Sequence, residues 1–405
     1  MKKVMTIALC MAALGSASAQ KANVDAAKKL SGKFDKIEEA RKLIKEAMAD
    51  PETANDANTY FVAGKIEFDA YDKGLQQSMI KPDDPAANPV TMGQELLNGY
   101  KYFLQALPLD SIPDAKGKSL KHSKDIVSKV AGHANDFFKT AASMYEAKKY
   151  YPEAYEGFMI FGDMPDMAWL GNKAPKIVDA DRAQSYFNAG LSAYSGNEVL
   201  KAADAFRAAR KHGFEDVNGF IYEIACWQNI AQRDSTMEKA ASDRIFEIAQ
   251  DGYAKFGAEQ PIFLNNLVNS LVNDKKYDEA LAKVNALLNN NPQNSNLLGL
   301  KGFIYDRMGD DTASVECYRK AAALADCDFE TLKNIAKKLY RVGTNEYGKL
   351  DPKDKDGKLR VRAEYFDAAL DTARRAENMA KEKSLNDSDL QYVIENIEYA
   401  IQTYY

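Results

Sequence analysis

The apolar residues of 261–328 recur with a period of 34 residues. Shifting the sequence by 34 aligns Leu264 with Leu298 and Leu271 with Tyr305. Within each copy, apolar residues lie three, four or seven positions apart in two stretches that are separated by a polar turn. This spacing places them on one face of a helix, so each copy is predicted to form two amphipathic helices. A period near 34 residues indicates a helix-turn-helix repeat.

Similar pairs of amphipathic stretches continue along the rest of the chain, and strand signals are nearly absent. We therefore predict an all-α fold, a helix-turn-helix solenoid (an α-α superhelix) of about eight hairpins. Residues 386–405 are predicted to form a capping helix, because the last hairpin would otherwise expose its apolar face. The apolar positions of this helix are Leu390, Val393, Ile394, Ile397 and Ile401.

Glycines and prolines between 162 and 180 predict a connector within the chain. This connector would divide N-terminal hairpins with inserted loops, at 20–161, from a more regular array at 181–385. The sequence leaves open whether the two blocks form one continuous solenoid, and it leaves the oligomeric state open as well.

In the copy at 295–328, the small residue Gly302 lies between larger ones, which lets the second helix of the hairpin approach closely. Both copies resemble the tetratricopeptide repeat, and the resemblance extends over most of the chain. The chain departs from the family pattern at Val268 and Ser314, where glycine and alanine are usual. The resemblance implies a scaffold that binds proteins or peptides in a concave groove lined by the first helices. The matching residues are Leu264, Leu267, Leu271, Ala280 and Pro292 in one copy, and Leu298, Gly302, Tyr305, Tyr318 and Ala321 in the next.

The first nineteen residues have the pattern of a secretory signal peptide. Lys2 and Lys3 precede an apolar stretch, and the small residues 17–19 end at Ala19, after which cleavage is expected. Lipid attachment at Cys10 is disfavoured, because Leu9 stands where a small residue is needed. No later apolar run is long enough to span a bilayer. We therefore expect an exported, periplasmic or secreted protein without an integral membrane segment.

The charge balance disfavours nucleic acid as a partner. The chain has 54 Lys and Arg residues against 59 Asp and Glu residues, and without Lys2 and Lys3 the count is 52 against 59, a net charge of −7. Neutralising phosphates requires clustered basic surface. The same balance disfavours an anionic membrane surface.

Three cysteines follow the signal peptide, so they cannot all pair within one chain. Cys226 and Cys317 lie in apolar helical patterns, where burial as small side chains is expected. Pairing of Cys317 with Cys327 stays open at this stage.

The sequence contains no recognisable catalytic or metal-binding motif. His122 and His133 lie outside any zinc pattern and are expected to be exposed near turns. Asp354 and Asp356 resemble part of a calcium loop, but Pro352 and Ala363 stand where further ligands are required. We therefore predict neither an enzyme nor a cofactor or metal site.

A stripe of three amides is the most suggestive polar feature of the chain. Asn265, Asn269 and Asn273 recur every four residues beside the apolar face of their helix. Asparagine is a mediocre helix former, so a binding role is one explanation of the stripe. The alternative is that the three amides simply form a solvated face of the helix. By the resemblance, Phe303 and Arg307 fall on the corresponding face of the next repeat. These five residues are the predicted ligand-binding set, for a protein or peptide partner in the cell envelope.

Two further possibilities concern the kind of ligand. Some family members hold a peptide's terminal carboxylate with lysine and arginine, but Asn296 and Leu300 occupy the positions where the next repeat would need cations. The resemblance also extends loosely to outer-membrane starch-uptake lipoproteins, which makes glycan binding, or an accessory role in outer-membrane assembly or uptake, the alternative function. Trp169 is the one aromatic candidate for a glycan-binding ledge.

Overall fold

The computed structural model describes residues 20–113, 116–257 and 260–405, and the backbone alone of Phe34. The predicted signal peptide, with Cys10, lies outside these residues. Every regular element in the described chain is helical, which confirms the all-α prediction. The chain forms two compact units, the first ending at Ala241 and the second extending from Ser242 to Tyr405.

The first unit consists of helices that pack pairwise as antiparallel hairpins. The pairs α3–α4, α6–α7 and α8–α9 form such hairpins. The two helices before them contribute Val24, Ala27 and Ile37 to the same apolar core. The helices are α1 (20–31), α2 (Ile37–Ala49), α3 (Ala57–Ile80), α4 (Pro89–Asp110), α5 (Ser123–Gly132), α6 (Ala134–Glu146), α7 (Tyr151–Asp163), α8 (Asp179–Ser195), α9 (Val199–Lys211) and α10 (Asn218–Arg233).

The second unit contains the regular repeats and the terminal helix. The pairs α12–α13, α14–α15 and α16–α18 pack against each other, and α19 packs on α18. With α1–α2, seven helix pairs precede α19 in the described chain, close to the predicted number of about eight. The helices are α11 (Glu238–Phe256), α12 (Pro261–Asn273), α13 (Tyr277–Asn290), α14 (Ser295–Met308), α15 (Asp311–Ala322), α16 (Phe329–Gly348), α17 (Lys355–Val361), a π-helical turn (Arg362–Asp367), α18 (Ala368–Glu382) and α19 (Ser388–Tyr404).

Glycines on first helices let the hairpins close tightly over aromatic rings. A Cβ added at Gly302 would lie 2.7 Å from Cδ1 of Tyr318, and one at Gly190 would lie 2.5 Å from Cε1 of Phe206. Both distances are shorter than van der Waals contact, so a larger residue fits only if the ring or the helix moves. The Ser314 hydroxyl, which replaces the usual alanine, donates a 2.9 Å hydrogen bond to the Gly302 carbonyl. Ser314 therefore links α15 to α14 by a hydrogen bond that alanine could not form.

The turn inside several hairpins contains a residue with positive φ. Asn197, Lys275 and Gly309 have φ values of 64°, 59° and 84° at the ends of α8, α12 and α14. The backbone N–H of the next residue then bonds the carbonyl five positions back, as in the 2.8 Å bond from Lys276 to Leu271. This is the Schellman arrangement that ends many helices. Only one of the three positions is occupied by glycine, the residue that adopts this conformation without strain.

The predicted connector at 162–180 is packed within the first unit. Met164 and Leu170 are buried in the apolar core, and Ser185 Oγ of α8 donates a 2.7 Å hydrogen bond to the Phe158 carbonyl of α7. The glycines and prolines lie in irregular helical turns that connect α7 and α8, which pack directly together. The compact units of the chain divide after Ala241.

All three cysteines of the described chain are buried and unpaired, which closes the question of a Cys317–Cys327 bridge. The acidic loop before α17 serves as a helix cap, because the Asp354 side chain accepts a 2.8 Å hydrogen bond from the Gly357 N–H. Capping accounts for this acidic residue without a bound ion.

Candidate functional site

The second unit contains a groove of about 470 Å³ between the first helices α12, α14 and α16. Its floor is α14, with the Tyr318 ring of α15 below it. A Cβ at Gly299 of α14 would lie 2.9 Å from Thr331 Cγ2 of α16, so the lack of a side chain there lets these two helices approach closely. The groove is therefore a direct product of the hairpin packing.

Four asparagine side chains line this groove. Asn265 and Asn269 lie on α12, Asn296 on α14 and Asn334 on α16. The Asn265 Oδ1 atom is buried and accepts no hydrogen bond from the described residues. By contrast, the neighbouring Asn266 donates a 2.8 Å hydrogen bond to the Ile262 carbonyl of its own helix. A buried polar atom without a partner costs stability, so the Asn265 amide lowers the stability of the second unit in this conformation.

Apolar side chains cover the middle of the groove. Leu300 and Phe303 are half-buried on α14 and face the amides. Tyr318 is 5% exposed beneath them. Burial and the nearby negative charge of Asp306 raise the pKa of the Tyr318 hydroxyl, which therefore stays neutral. This surface offers an apolar contact flanked by hydrogen-bonding groups.

The end of the groove between the C-terminus of α14 and the middle of α16 is charged but internally paired. Lys338 Nζ lies 2.5 Å from Asp306 Oδ1 and 2.5 Å from Asp311 Oδ1. Arg341 also pairs with Asp306, and Lys337 lies 2.5 Å from Asp389 Oδ2 of α19. These carboxylates offset the charges of Lys337, Lys338 and Arg341, so the charged end of the groove is largely neutral.

Three of the five sequence-predicted ligand residues lie together in this groove. Asn265, Asn269 and Phe303 line it, whereas Asn273 and Arg307 do not. Asn273 is the exposed last residue of α12. Arg307 is exposed, because its neighbour Asp306 is the residue of α14 that faces α16 at this point.

The sequence analysis missed the residues that α16 contributes. Asn334, Lys337, Lys338 and Arg341 all line the groove. The 34-residue period ends at residue 328, so no repeat alignment reaches this longer helix. The spacing of three, four and seven positions from Asn334 was a signal that could have identified one polar face.

Both histidines that were expected to be exposed are partly buried in the first unit, so that expectation is wrong. His133 Nδ1 lies 2.7 Å from the Lys129 carbonyl and Nε2 lies 2.9 Å from Asp72 Oδ1. Burial alone would lower the pKa of His133, but its hydrogen bonds to Asp72 and Lys129 raise it overall. His122 stacks on Phe61 with ring centroids 4.3 Å apart, and burial lowers its pKa. Both rings pack against aromatic side chains of the first unit, and their sequence positions near turns gave no sign of this packing.

Within the residues that the structure describes, no three His, Cys, Asp or Glu side chains are placed to hold a metal ion. Nor is any helix in those residues long and apolar enough to cross a bilayer.

No protein-family model matches the sequence, and no curated protein matches it. Similar solved structures are tetratricopeptide-repeat proteins. Yeast Tom70 is 15% identical, with 94% of this chain and 96% of that chain covered and a TM-score of 0.27. The TPR domain of P58(IPK) is 13% identical, with coverages of 95% and 98% and a TM-score of 0.26. The C-terminal part of a TPR repeat-containing protein from Cytophaga hutchinsonii is 13% identical, with coverages of 76% and 98% and a TM-score of 0.26. At these TM-scores the likeness supports no inference about activity or partner.

Proposed function

We propose that this protein is an exported scaffold whose second-unit groove binds an extended segment of a protein or peptide, without catalysis. The observation that carries the proposal is the buried, unpartnered Asn265 Oδ1 in a groove lined by three further amides. Export rests on the sequence pattern of residues 1–19, and the cell envelope is accordingly the expected location of the partner.

The spacing of the amides suits an extended polypeptide backbone. Asn265 and Asn269 are four residues apart on α12, a rise of about 6 Å along the helix. Two residues of an extended chain span about 6.6 Å, so amides at this interval meet equivalent backbone groups. Each asparagine carries both a donor and an acceptor, which matches the N–H and C=O of one residue.

The middle of the groove supplies an anchor for one ligand side chain. An apolar residue of the bound segment would contact Leu300 and Phe303 and remove part of both from water. Burying an aliphatic side chain in this way contributes about 1.5–3 kcal/mol. Backbone hydrogen bonds and one apolar anchor together predict binding that tolerates many sequences but requires an extended conformation.

Glycan capture receives no comparable support. Trp169, the aromatic residue that the sequence offered for a glycan ledge, packs in the first unit with its ring 6.4 Å from that of Tyr100. Peptide binding is therefore the single function proposed.

The test compares asparagines of α12 that line the groove with one that lies outside it. Crosslinked pull-down from envelope extract identifies the partner, and calorimetry with the captured segment then measures affinity. Replacing Asn265 and Asn269 by alanine removes two sets of backbone bonds, each contributing about 1 kcal/mol, so Kd is expected to rise roughly 30-fold.

Asn273→Ala is the matched control, because it removes the same group from α12 outside the groove. It is expected to leave the partners and Kd unchanged. Retention of all partners by Asn265→Ala/Asn269→Ala would refute the site. Hydrolysis of a generic ester, phosphate or glycoside by the purified protein would refute the non-enzymatic assignment.

A further inference from the structure

Two tyrosines on the terminal helix α19 are far more exposed than other tyrosines among the described residues. Tyr392 is 66% exposed and Tyr399 is 65% exposed, whereas Tyr194, the next, is 39% exposed. The seven-residue interval places both rings on one face of α19. Neither ring stacks on another aromatic residue of the described chain, and neither hydroxyl has a hydrogen-bond partner there. Tyr404 and Tyr405 on the same helix end pack on Tyr347 instead.

The helix that presents these tyrosines is fixed on both sides. Its apolar face, which includes Ile394 and Ile397, is buried on the second-unit core. Lys333 of α16 pairs with Asp387 at 2.7 Å, and Arg374 of α18 pairs with Glu398. The outward face is therefore held in place before any ligand binds, which lowers the entropic cost of binding.

The spacing of the two rings suits a polyproline II helix. Seven residues of α-helix place Tyr392 and Tyr399 about 10.5 Å apart along the axis. One turn of polyproline II has three residues and rises about 9.3 Å, so prolines on one ridge meet successive rings. Flat aromatic surfaces bind such segments favourably, because the ligand is already ordered and loses little conformational entropy on binding.

The charge between the rings indicates a cationic ligand. Glu395 lies one turn from each tyrosine and is exposed. Its side chain accepts a 3.0 Å hydrogen bond from Gln391, and no cation of the described residues lies within salt-bridge distance of it. A lysine or arginine of the ligand would pair with this carboxylate and lie beside the electron-rich ring faces. A second copy of the chain fits poorly, because antiparallel pairing of two α19 helices over this face brings the two Glu395 carboxylates together.

We propose that the outward face of α19, formed by Tyr392, Glu395 and Tyr399, binds a proline-rich, basic segment of a partner protein. The site is separate from the asparagine-lined groove and does not depend on the function proposed for it. It would give the scaffold a second point of attachment, so that two segments bind at once.

The test uses fluorescence anisotropy with a labelled peptide of repeated Pro-Pro-Lys triplets and the full chain without its signal peptide. Repeats of Ala-Ala-Lys and Pro-Pro-Glu are the comparison peptides, each expected to bind at least fivefold more weakly. Tyr392→Ala/Tyr399→Ala is expected to weaken Pro-Pro-Lys binding at least tenfold. Glu395→Gln is expected to weaken it about threefold and to reduce its dependence on salt.

Tyr194→Ala and Asn265→Ala/Asn269→Ala are the controls, and both are expected to leave this binding unchanged. Equal binding of the Ala-Ala-Lys peptide, or unchanged binding by the double tyrosine variant, would overturn the proposal. So would loss of binding in the asparagine variant, since the peptide would then occupy the groove. A wild-type dimer that the tyrosine variant dissociates, measured by sedimentation, would show that a second copy covers this face.

Discussion

Lys338 Nζ lies 2.5 Å from Asp306 Oδ1, and the Lys338 side chain is only 3% exposed. A buried cation depends on its carboxylate partners, because water cannot replace them. Among the described residues, Asp306→Asn leaves Lys338 with Asp311 as its single carboxylate partner and removes the carboxylate that pairs with Arg341. We expect the free energy of unfolding to fall by about 2 kcal/mol, measured by chemical denaturation.

Asp389→Asn is the control for this prediction. Asp389 pairs with Lys337 at the same 2.5 Å, but the two side chains are 54% and 39% exposed. An exposed pair contributes less than about 1 kcal/mol. Equal losses from the two substitutions would contradict the role assigned to burial.

Gly302→Ala is expected to destabilise the α14–α15 hairpin although alanine is the better helix former. The new Cβ would lie 2.7 Å from the Tyr318 ring, and such overpacking costs about 1–3 kcal/mol against a propensity gain of about 1 kcal/mol. Hydrogen exchange of the α14 and α15 amides would then accelerate. Gly348→Ala is the control, because no atom lies within 4 Å of a Cβ there. Slower exchange in Gly302→Ala would show that the hairpin is not close-packed at this point.

Lys275→Gly is expected to stabilise the second unit. Lys275 has a φ of 59° in the turn after α12, a conformation that costs non-glycine residues about 1 kcal/mol. Glycine removes this cost without disturbing the 2.8 Å bond from the Lys276 N–H to the Leu271 carbonyl. The thermal midpoint should rise in Lys275→Gly and fall in Gly309→Ala, which places a side chain at a φ of 84°. Shifts of the same sign in both variants would disprove the argument.

His133 is expected to make the stability of the first unit depend on pH. Both ring nitrogens face acceptor oxygens, so the protonated ring fits best and its pKa is raised above the ordinary 6.5. The stabilising contribution is then complete below pH 6.5 and is lost as pH rises through the folded-state pKa. His133→Gln keeps a donor for Asp72 that does not titrate, so its unfolding free energy should change less over this pH range.

His122 provides a comparison of opposite sign. Burial beside Phe61 lowers its pKa, so its contribution is present above pH 6.5 and is lost as pH falls through the folded-state pKa. Titration followed by NMR should place the His133 pKa above that of His122. The reverse order would be inconsistent with the contacts described for these rings.

Asn265→Ala is expected to stabilise the unbound protein while weakening binding. The substitution removes a buried oxygen without a hydrogen-bond partner and replaces a mediocre helix former by the best one. A gain of about 1 kcal/mol in unfolding free energy follows. Asn266→Ala is the control, because the Asn266 side chain is already bonded to the Ile262 carbonyl. A loss of stability in Asn265→Ala would show that its amide has a structural role.

The helices were predictable because each is amphipathic and its ends carry ordinary signals. Prolines and caps such as Asn88, whose side chain accepts from the Val90 N–H, fix where helices begin. The irregular backbone at 162–180 was predictable from its glycines and prolines, but its packing was not, because glycine and proline mark irregular backbone whether or not it is packed. Leu170 is buried there in a helical turn that packs on α5, a helix well before it in the chain, and local sequence does not reveal this contact.

The groove was only half predictable for a related reason. Asn265, Asn269 and Phe303 lie within the 34-residue period, so their shared face followed from repeat alignment. Lys338 lies outside it, and its burial depends on Asp306, a residue 32 positions earlier. Pairing over that distance is a property of tertiary packing.

The three cysteines of the described residues are buried as free thiols in the folded protein. Burial raises the pKa of Cys226 to about 12 and that of Cys327 to about 11, and it also raises the pKa of Cys317. Thiolates are therefore scarce in the native state, and alkylating reagents react with these cysteines only after the surrounding helices open. Because Cys226 belongs to the first unit and the other two cysteines belong to the second, labelling kinetics would time the opening of each unit separately in a single unmodified chain.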